Sequence, residues 1–222
     1  MDYHFDYSPV IAAIPDLLRG CLGTLWLALA GMVLAMVIAL AGVIARRSHS
    51  RPAQTITIAF VEAIRNTPFL VQIYFIFFAL PALGVTLNPT VAAILALGVN
   101  GGAYAIEIVR GGVEAIHKGQ IEAGLALGLR RSQIFRYVVL KPALRAIYPS
   151  LTSQFILLTL TTSIASSISA NELTSIAKIV ESNSFRSFEV YSAVIVLYLA
   201  MSWLLMVMFA GISRHWLSYP SR

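Results

Sequence analysis

The sequence predicts an all-α protein that crosses a membrane five times. Three observations carry this. Of 222 residues, 58% are hydrophobic and only 12% are charged, about half the charged share of a soluble domain, with a mean hydropathy of +0.79. The apolar residues gather in five stretches long enough to span a bilayer, separated by polar or basic segments. Twelve Lys and Arg residues fall on one side of those stretches and three on the other, with Arg65 left inside one of them.

Taken in order, residues 1–20 are polar and aromatic, with Pro9 and Pro15, and Ile11 to Leu18 are expected along the membrane surface. Cys21 to Ala45 carries no charge and forms the first span, closed by Arg46, Arg47 and Arg51. The second span, about residues 53–80, is interrupted by Glu62, Arg65 and Pro68. Pro81 to Pro89 is an uncharged turn, and the third span follows at about 91–112 with Asn100-Gly101-Gly102 in its middle. A long loop occupies about 113–145. The fourth span, 146–170, is again free of charge, and a polar connector holding Glu172, Lys178, Glu181, Arg186 and Glu189 leads to the fifth, 190–213. Residues 214–222 are a tail. No internal repeat is visible. The acidic first 20 residues lack a basic start, so no cleavable signal is expected and the first span serves as insertion signal.

The twelve-to-three asymmetry places the long loop and the C-terminus in the cytoplasm and the N-terminus outside. The formal charge of +6 is thus a topology signal helped by anionic lipid, and nucleic acid is not an expected partner. A single cysteine, Cys21, excludes an internal disulfide and a cysteine-based metal site.

The spans hold few polar residues. Arg65 lies about twelve residues into a helix that begins near Ala53, roughly 18 Å deep at ~1.5 Å per residue. An isolated charge at that depth costs at least ~2.5–3.5 kcal/mol. Glu62, three residues earlier, is within reach on the same face, and Asn66, Thr67 and Pro68 interrupt the helix, freeing carbonyls. Two readings stand: the group lines a pathway, or Glu62 and Arg65 only pair and lock a kink. Asn100 with its glycines fits either close packing or a polar wall. Glu107 and Arg110, three apart, read as a surface ion pair. In the fourth span Thr159, Thr162 or Ser163, Ser166, and Ser169 or Ala170 recur at helical spacing, which gives either hydroxyls bonded to their own carbonyls or a stripe facing substrate.

The loop is the most informative stretch. From Gln120 to Pro149 the chain is neither a clean span nor a short turn. Ile121 to Leu129 reads as a short helix with Glu122 near its start and Arg130, Arg131 and Arg136 after it, charges that suit the helix dipole. Gly124 and Gly128, four apart, are expected on one helical face, leaving it bare for close entry by another protein.

Here the sequence resembles the E-A-A loop of ABC-importer permease subunits. Glu122-Ala123-Gly124, Gly128, Val138 and Leu140 fall at that motif's spacing, with Gly124 in place of its second alanine and Pro142 one residue late, behind Lys141. Phe60 to Pro68, Asn100 to Gly112 and Ile116 to Glu122 resemble the polar-amino-acid branch of that family, the histidine and glutamine permease type. The resemblance runs from about residue 20 to about 210. It implies an inner-membrane permease that moves polar amino acids or related small polar solutes by alternating access. Its implied partners are two ATP-binding subunits, a second permease copy or homologue, and a periplasmic or surface-anchored binding protein. Glu122, Ala123, Gly124 and Gly128 would form the coupling helix. Glu62, Arg65, Thr67, Asn100, Thr162, Ser163 and Ser166 would line the path. Where relatives often carry a Lys-Asp or similar polar pair before the Thr-Ser of the fourth span, this chain has Leu160-Thr161, which weakens any charge-reading site of its own.

Other classes fit less well. An ion- or proton-coupled secondary transporter predicts internal repeats and a deep carboxylate, and neither is evident. His4, His49, His117 and His215 do not pair at metal spacing, so no catalytic constellation and no metal are expected. The chain lacks a G-x-x-x-x-G-K-[ST] loop, so it binds no cofactor of its own, and ATP and Mg belong to a partner ATPase.

Overall fold

The computed structural model describes residues 4–216; the first three and last six residues, including the Arg222 counted above, lie outside the described residues. All regular structure in it is helical. A short α1 (Ser8–Ala12) leads directly into α2 (Ile14–Arg47). The surface segment expected at Ile11–Leu18 is therefore split, and Ile14 to Leu18 is already the start of the first span. Pro15 sits in the first turn of α2, where a missing N–H costs nothing, so it starts a helix rather than breaking one.

The second span is a bent pair. The first limb, α3 (Arg51–Arg65), begins under a Ser50 cap with Pro52 in its first turn. The second is α4 (Phe69–Tyr74), continued by a π turn (Phe75–Ala79) and a 3₁₀ turn (Leu80–Leu83). The chain bends by 109° between the two limbs. Arg65 is the last residue of the first limb, so the bend falls directly after it.

The third span, α5 (Pro89–Glu114), is capped by Asn88, whose side chain accepts the Val91 N–H at 2.8 Å. The loop contains α6 (Lys118–Ala126). Next, α7 (Arg131–Gln133) runs through a π segment (Ile134–Val139) into α8 (Leu140–Thr161) and a 3₁₀ segment (Thr162–Ile168). Together they make one span-length helix, Arg131–Ile168. The helix that carries the fourth span thus begins at Arg131, 15 residues before the span expected at 146, and Pro142 is taken up directly behind its π segment. The polar connector holds α9 (Leu173–Ser184), and α10 (Ser187–Trp216) is the last span. Among the described residues four helices are long and apolar enough to cross a membrane, and the number is five if the bent pair counts as one span.

Lipid is as apolar as leucine, so helices in a membrane associate through close contact of small residues. The α2–α5 seam follows this rule: Ala28, Gly31, Ala35 and Ala39 of α2 and Ala96, Gly101, Gly102 and Ala105 of α5 are buried. A Cβ added at Gly102 would sit 2.7 Å from Ile38 Cγ2. The Asn100-Gly101-Gly102 stretch therefore serves packing through its glycines. The most apolar window of α5 is 56% buried and that of α10 only 11%, which makes α5 the central helix and α10 a peripheral one.

Candidate functional site

Two regions carry the residues singled out in the sequence. In the loop, His117 Nδ1 accepts the Gly119 N–H at 3.2 Å and opens α6. The helix ends when Leu127 N–H donates to Ala123 O, Gly128 N–H to Leu125 O (2.9 Å) and Leu129 N–H to Gly124 O (3.1 Å). This paired pattern is a Schellman motif, and its turning residue Gly128 has φ +74°. A residue with a Cβ is disfavoured there by roughly 1–2 kcal/mol.

The shared glycine face is thereby corrected. Gly128 lies past the helix end and ends it; it is not on a face with Gly124. Gly124 is buried, and a Cβ there would meet Ile134 Cγ1 at 3.1 Å. The bare face is already filled by this chain's own π segment. What α6 shows outward is apolar and charged: Ile121, Leu125 and Leu127 are exposed, the last at 80%, and so are Glu122 and Ala123. Glu122 is the fifth residue of α6, beyond the first turn, so it does not meet the helix dipole as expected.

The second region surrounds the break at Asn66-Thr67-Pro68. The expected Glu62–Arg65 pair does not form. Glu62 accepts from Asn66 Nδ2 at 3.0 Å, and the Arg65 guanidinium lies over the Tyr104 ring, 5.3 Å from its centroid. Neither are the carbonyls at the break free. Asn66 Nδ2 donates to Glu62 O, Thr67 Oγ1 to Ala63 O, and Gln72 Nε2 to both Ile64 O (2.7 Å) and Thr67 O (3.1 Å). Gln72 also donates to Thr67 Oγ1 at 2.8 Å, while its own Oε1 accepts Asn100 Nδ2 at 2.9 Å. One amide side chain therefore ties the break of the second span to the middle of α5. Gln72 and Tyr104 were not singled out in the sequence; the signal for Gln72 was a lone amide inside the apolar run after Pro68.

The hydroxyl stripe divides. The 3₁₀ segment repeats every three residues, so Thr159, Thr162, Ala165 and Ile168 fall together and are buried. Thr162 bonds Thr159 O at 2.7 Å inside the core and does not line an open wall. Ser163 and Ser166 are half-buried on another face and bond Leu160 O and Ser163 O. Ser166 Oγ also accepts from Lys178 Nζ of α9 at 2.9 Å, a partner the sequence did not suggest. The expected Glu107–Arg110 pair is present at 2.7 Å and widens into a cluster, with Glu107 also meeting Arg46 and Arg110 meeting Glu114. Among the described residues no group of His, Cys, Asp and Glu is placed to hold a metal ion.

Comparison with known proteins fits this architecture. Residues 31–217 match the family described as binding-protein-dependent transport system inner membrane component. The chain is 40% identical to the glutamine transport system permease protein GlnP of Escherichia coli K12 over 212 residues, 95% of this chain and 97% of that one. It is also 40% identical to the L-cystine transport system permease protein TcyB of Bacillus subtilis, over 72% of this chain and 68% of that one. A crystal structure of an amino acid ABC transporter with histidines superposes with a TM-score of 0.90 at 29% identity, covering 96% of this chain and 99% of the other. Helical spans, loop and sequence agree: the chain belongs to the inner-membrane permease components of binding-protein-dependent ABC importers.

Proposed function

We propose that this permease carries polar amino acids across the cytoplasmic membrane, driven by ATP hydrolysed on separate subunits. The observation that carries the substrate class is 40% identity to a glutamine permease across 95% of the chain, together with an uncharged polar cluster, Thr67, Gln72 and Asn100, at the kinked span. Amide and hydroxyl groups suit a small polar solute without selecting a net charge. The working unit is taken as two permeases, this chain twice or with a homologue, with two ATPases and a periplasmic or surface-anchored binding protein. ATP and Mg are bound by the ATPases. The N-terminus lies outside and the loop inside, as the basic residues dictate.

The geometry supports a route for coupling. An ATPase that grips Ile121, Leu125 and Leu127 moves α6, whose Gly124 backbone rests on Ile134. Ile134 lies in the first turns of the continuous helix Arg131–Ile168, whose far end carries Ser163 and Ser166. Displacement at the loop thus reaches the opposite end of the bundle through a single rod. Glu122 and Ala123 flank the gripped face, and Gly128 fixes where it ends.

Uptake of labelled glutamine, cystine, histidine and a sugar control into vesicles holding the whole transporter tests the reading. ATP-dependent uptake of an amino acid is expected; uptake driven by an ion gradient without ATP overturns it. Cysteines introduced at Ser132 and Ser182 of intact cells should be labelled only by permeant and by impermeant reagents respectively. Reversed labelling inverts the assigned orientation.

A further inference from the structure

Beside the ion cluster that ties α2 to α5, two cavities share a wall. The smaller, about 200 Å³, is lined by Val43, Arg46, Arg47, Arg110, Val113 and Glu114. The larger, about 630 Å³, is an apolar groove between α2 and α8 floored by α5, with Leu40, Ile44, Leu140 and Leu144 among its walls. Val43, Arg47 and Val113 belong to both. Arg46 and Arg110 are matched by Glu107 and Glu114. Arg47 is exposed at the end of α2, and its guanidinium makes no ion pair or hydrogen bond among the described residues. Ser48 beside it is occupied, its hydroxyl on Ala45 O and its carbonyl on the Gln54 amide.

We propose that this composite pocket binds one anionic phospholipid, its phosphate on Arg47 in the small polar cavity and an acyl chain in the apolar groove. The charge argument is direct: three guanidiniums face two carboxylates, and the uncompensated one sits where the polar cavity opens into the apolar groove. It also ends a span on the side that holds the excess of basic residues, where an anionic leaflet is attracted. The groove itself gains little, because an acyl chain leaves one apolar solvent for another. Discrimination between lipids therefore rests on Arg47, and the groove selects for an attached chain over a soluble anion. The proposal needs only that the chain spans the membrane, so it stands apart from the substrate class.

Native mass spectrometry of the purified full-length chain, offered equal phosphatidylglycerol and phosphatidylcholine, tests it. Wild type should keep a first phosphatidylglycerol about fivefold over phosphatidylcholine, the ~1 kcal/mol of one basic residue at an anionic surface. Arg47→Gln should abolish the preference, while Arg47→Lys and the distant Arg214→Gln keep it. Leu144→Trp, which fills the groove, should reduce retention of both lipids. Equal retention of the two lipids by wild type, or an unchanged preference in Arg47→Gln, overturns the site. So does displacement of phosphatidylglycerol by soluble glycerol phosphate, which would assign a small-anion pocket, or loss of the lipid on self-association, which would put a second copy there.

Discussion

The end of the bundle that carries α9 holds a buried, matched polar network, whereas the end that carries α6 presents an apolar face on a small, lightly held helix. At the α9 end, Glu172 is fully buried. Its carboxylate accepts the Thr174 and Ser175 N–H groups at 2.9 and 2.6 Å and the Tyr198 hydroxyl at 2.8 Å, while Leu173 N–H donates to Thr24 Oγ1 of α2. Gly23 lets α2 come so close that an added Cβ would stand 2.5 Å from Asn171 O. At the α6 end a nine-residue helix is held by one glycine against one isoleucine and by a left-handed turn. A buried, satisfied polar network fixes a structure, and an uncovered apolar face on a small element invites a partner. One end is an anchor and the other a handle.

The largest effect should come from removing the anchor. Glu172→Ala leaves two N–H groups and a tyrosine hydroxyl unpaired in a buried site, and should cost roughly 2–4 kcal/mol, read as a lowered thermal midpoint in detergent. Glu172→Gln should cost far less. Burial is the main influence on this carboxyl and pushes its pKa above the ordinary 4.5, against the pull of its donors. The folded state then holds its proton where the unfolded state has released it, so stability falls as pH rises from about 4.5 through the raised value. Glu172→Gln should flatten that slope. An Ala variant as stable as wild type would remove the contrast between the two ends.

Next comes the handle. Gly128→Leu meets nothing within 4 Å but must adopt φ +74°, so it should cost ~1–2 kcal/mol in the loop alone. ATPase co-purification should fall roughly 5- to 30-fold with the spans still inserted. Gly128→Asn, which tolerates this backbone, should be milder; an order reversed between the two would mean packing rather than conformation governs the position. Arg65→Leu loses a contact with Tyr104 worth ~0.5–1 kcal/mol, leaving assembly intact while uptake drops, and normal uptake would remove Arg65 from the path. Glu122→Ala, exposed in mid-helix, should change stability by less than ~0.5 kcal/mol and co-purification little. A loss as large as that of Gly128→Leu would make the carboxylate, not the apolar face, the gripped surface.

The sequence made the spans legible because lipid imposes a crude rule, long apolar runs with few charges, and α2, α5 and α10 obey it. It read Lys141, Pro142 and Arg145 as loop by composition, although α8 carries them in a helix that continues into the fourth span. The loop was found by its motif, but its face was misjudged. Two glycines four apart share a face only if both are helical, and Gly128 is the residue that ends the helix. Partners were the least legible. Arg65 reaches Tyr104 across 39 positions and Gln72 reaches Asn100 across 28, pairings set by helix packing that no local spacing encodes. Glu172 looked like a solvated connector charge, yet it is buried because α2 closes over the start of α9.

The π segment at Ile134–Val139 has one more consequence, concerning angle rather than distance. A single residue inserted into or removed from a helix turns everything beyond it by about 100°. The segment begins with the isoleucine that carries α6 and leads into α8, which continues into the 3₁₀ segment that carries Ser163 and Ser166. It therefore sets the azimuth of the α6 seat relative to the serines, as a key sets the timing of a cam on its shaft. A one-residue deletion here would mistime the shaft, leaving both ends intact and pointing the wrong way.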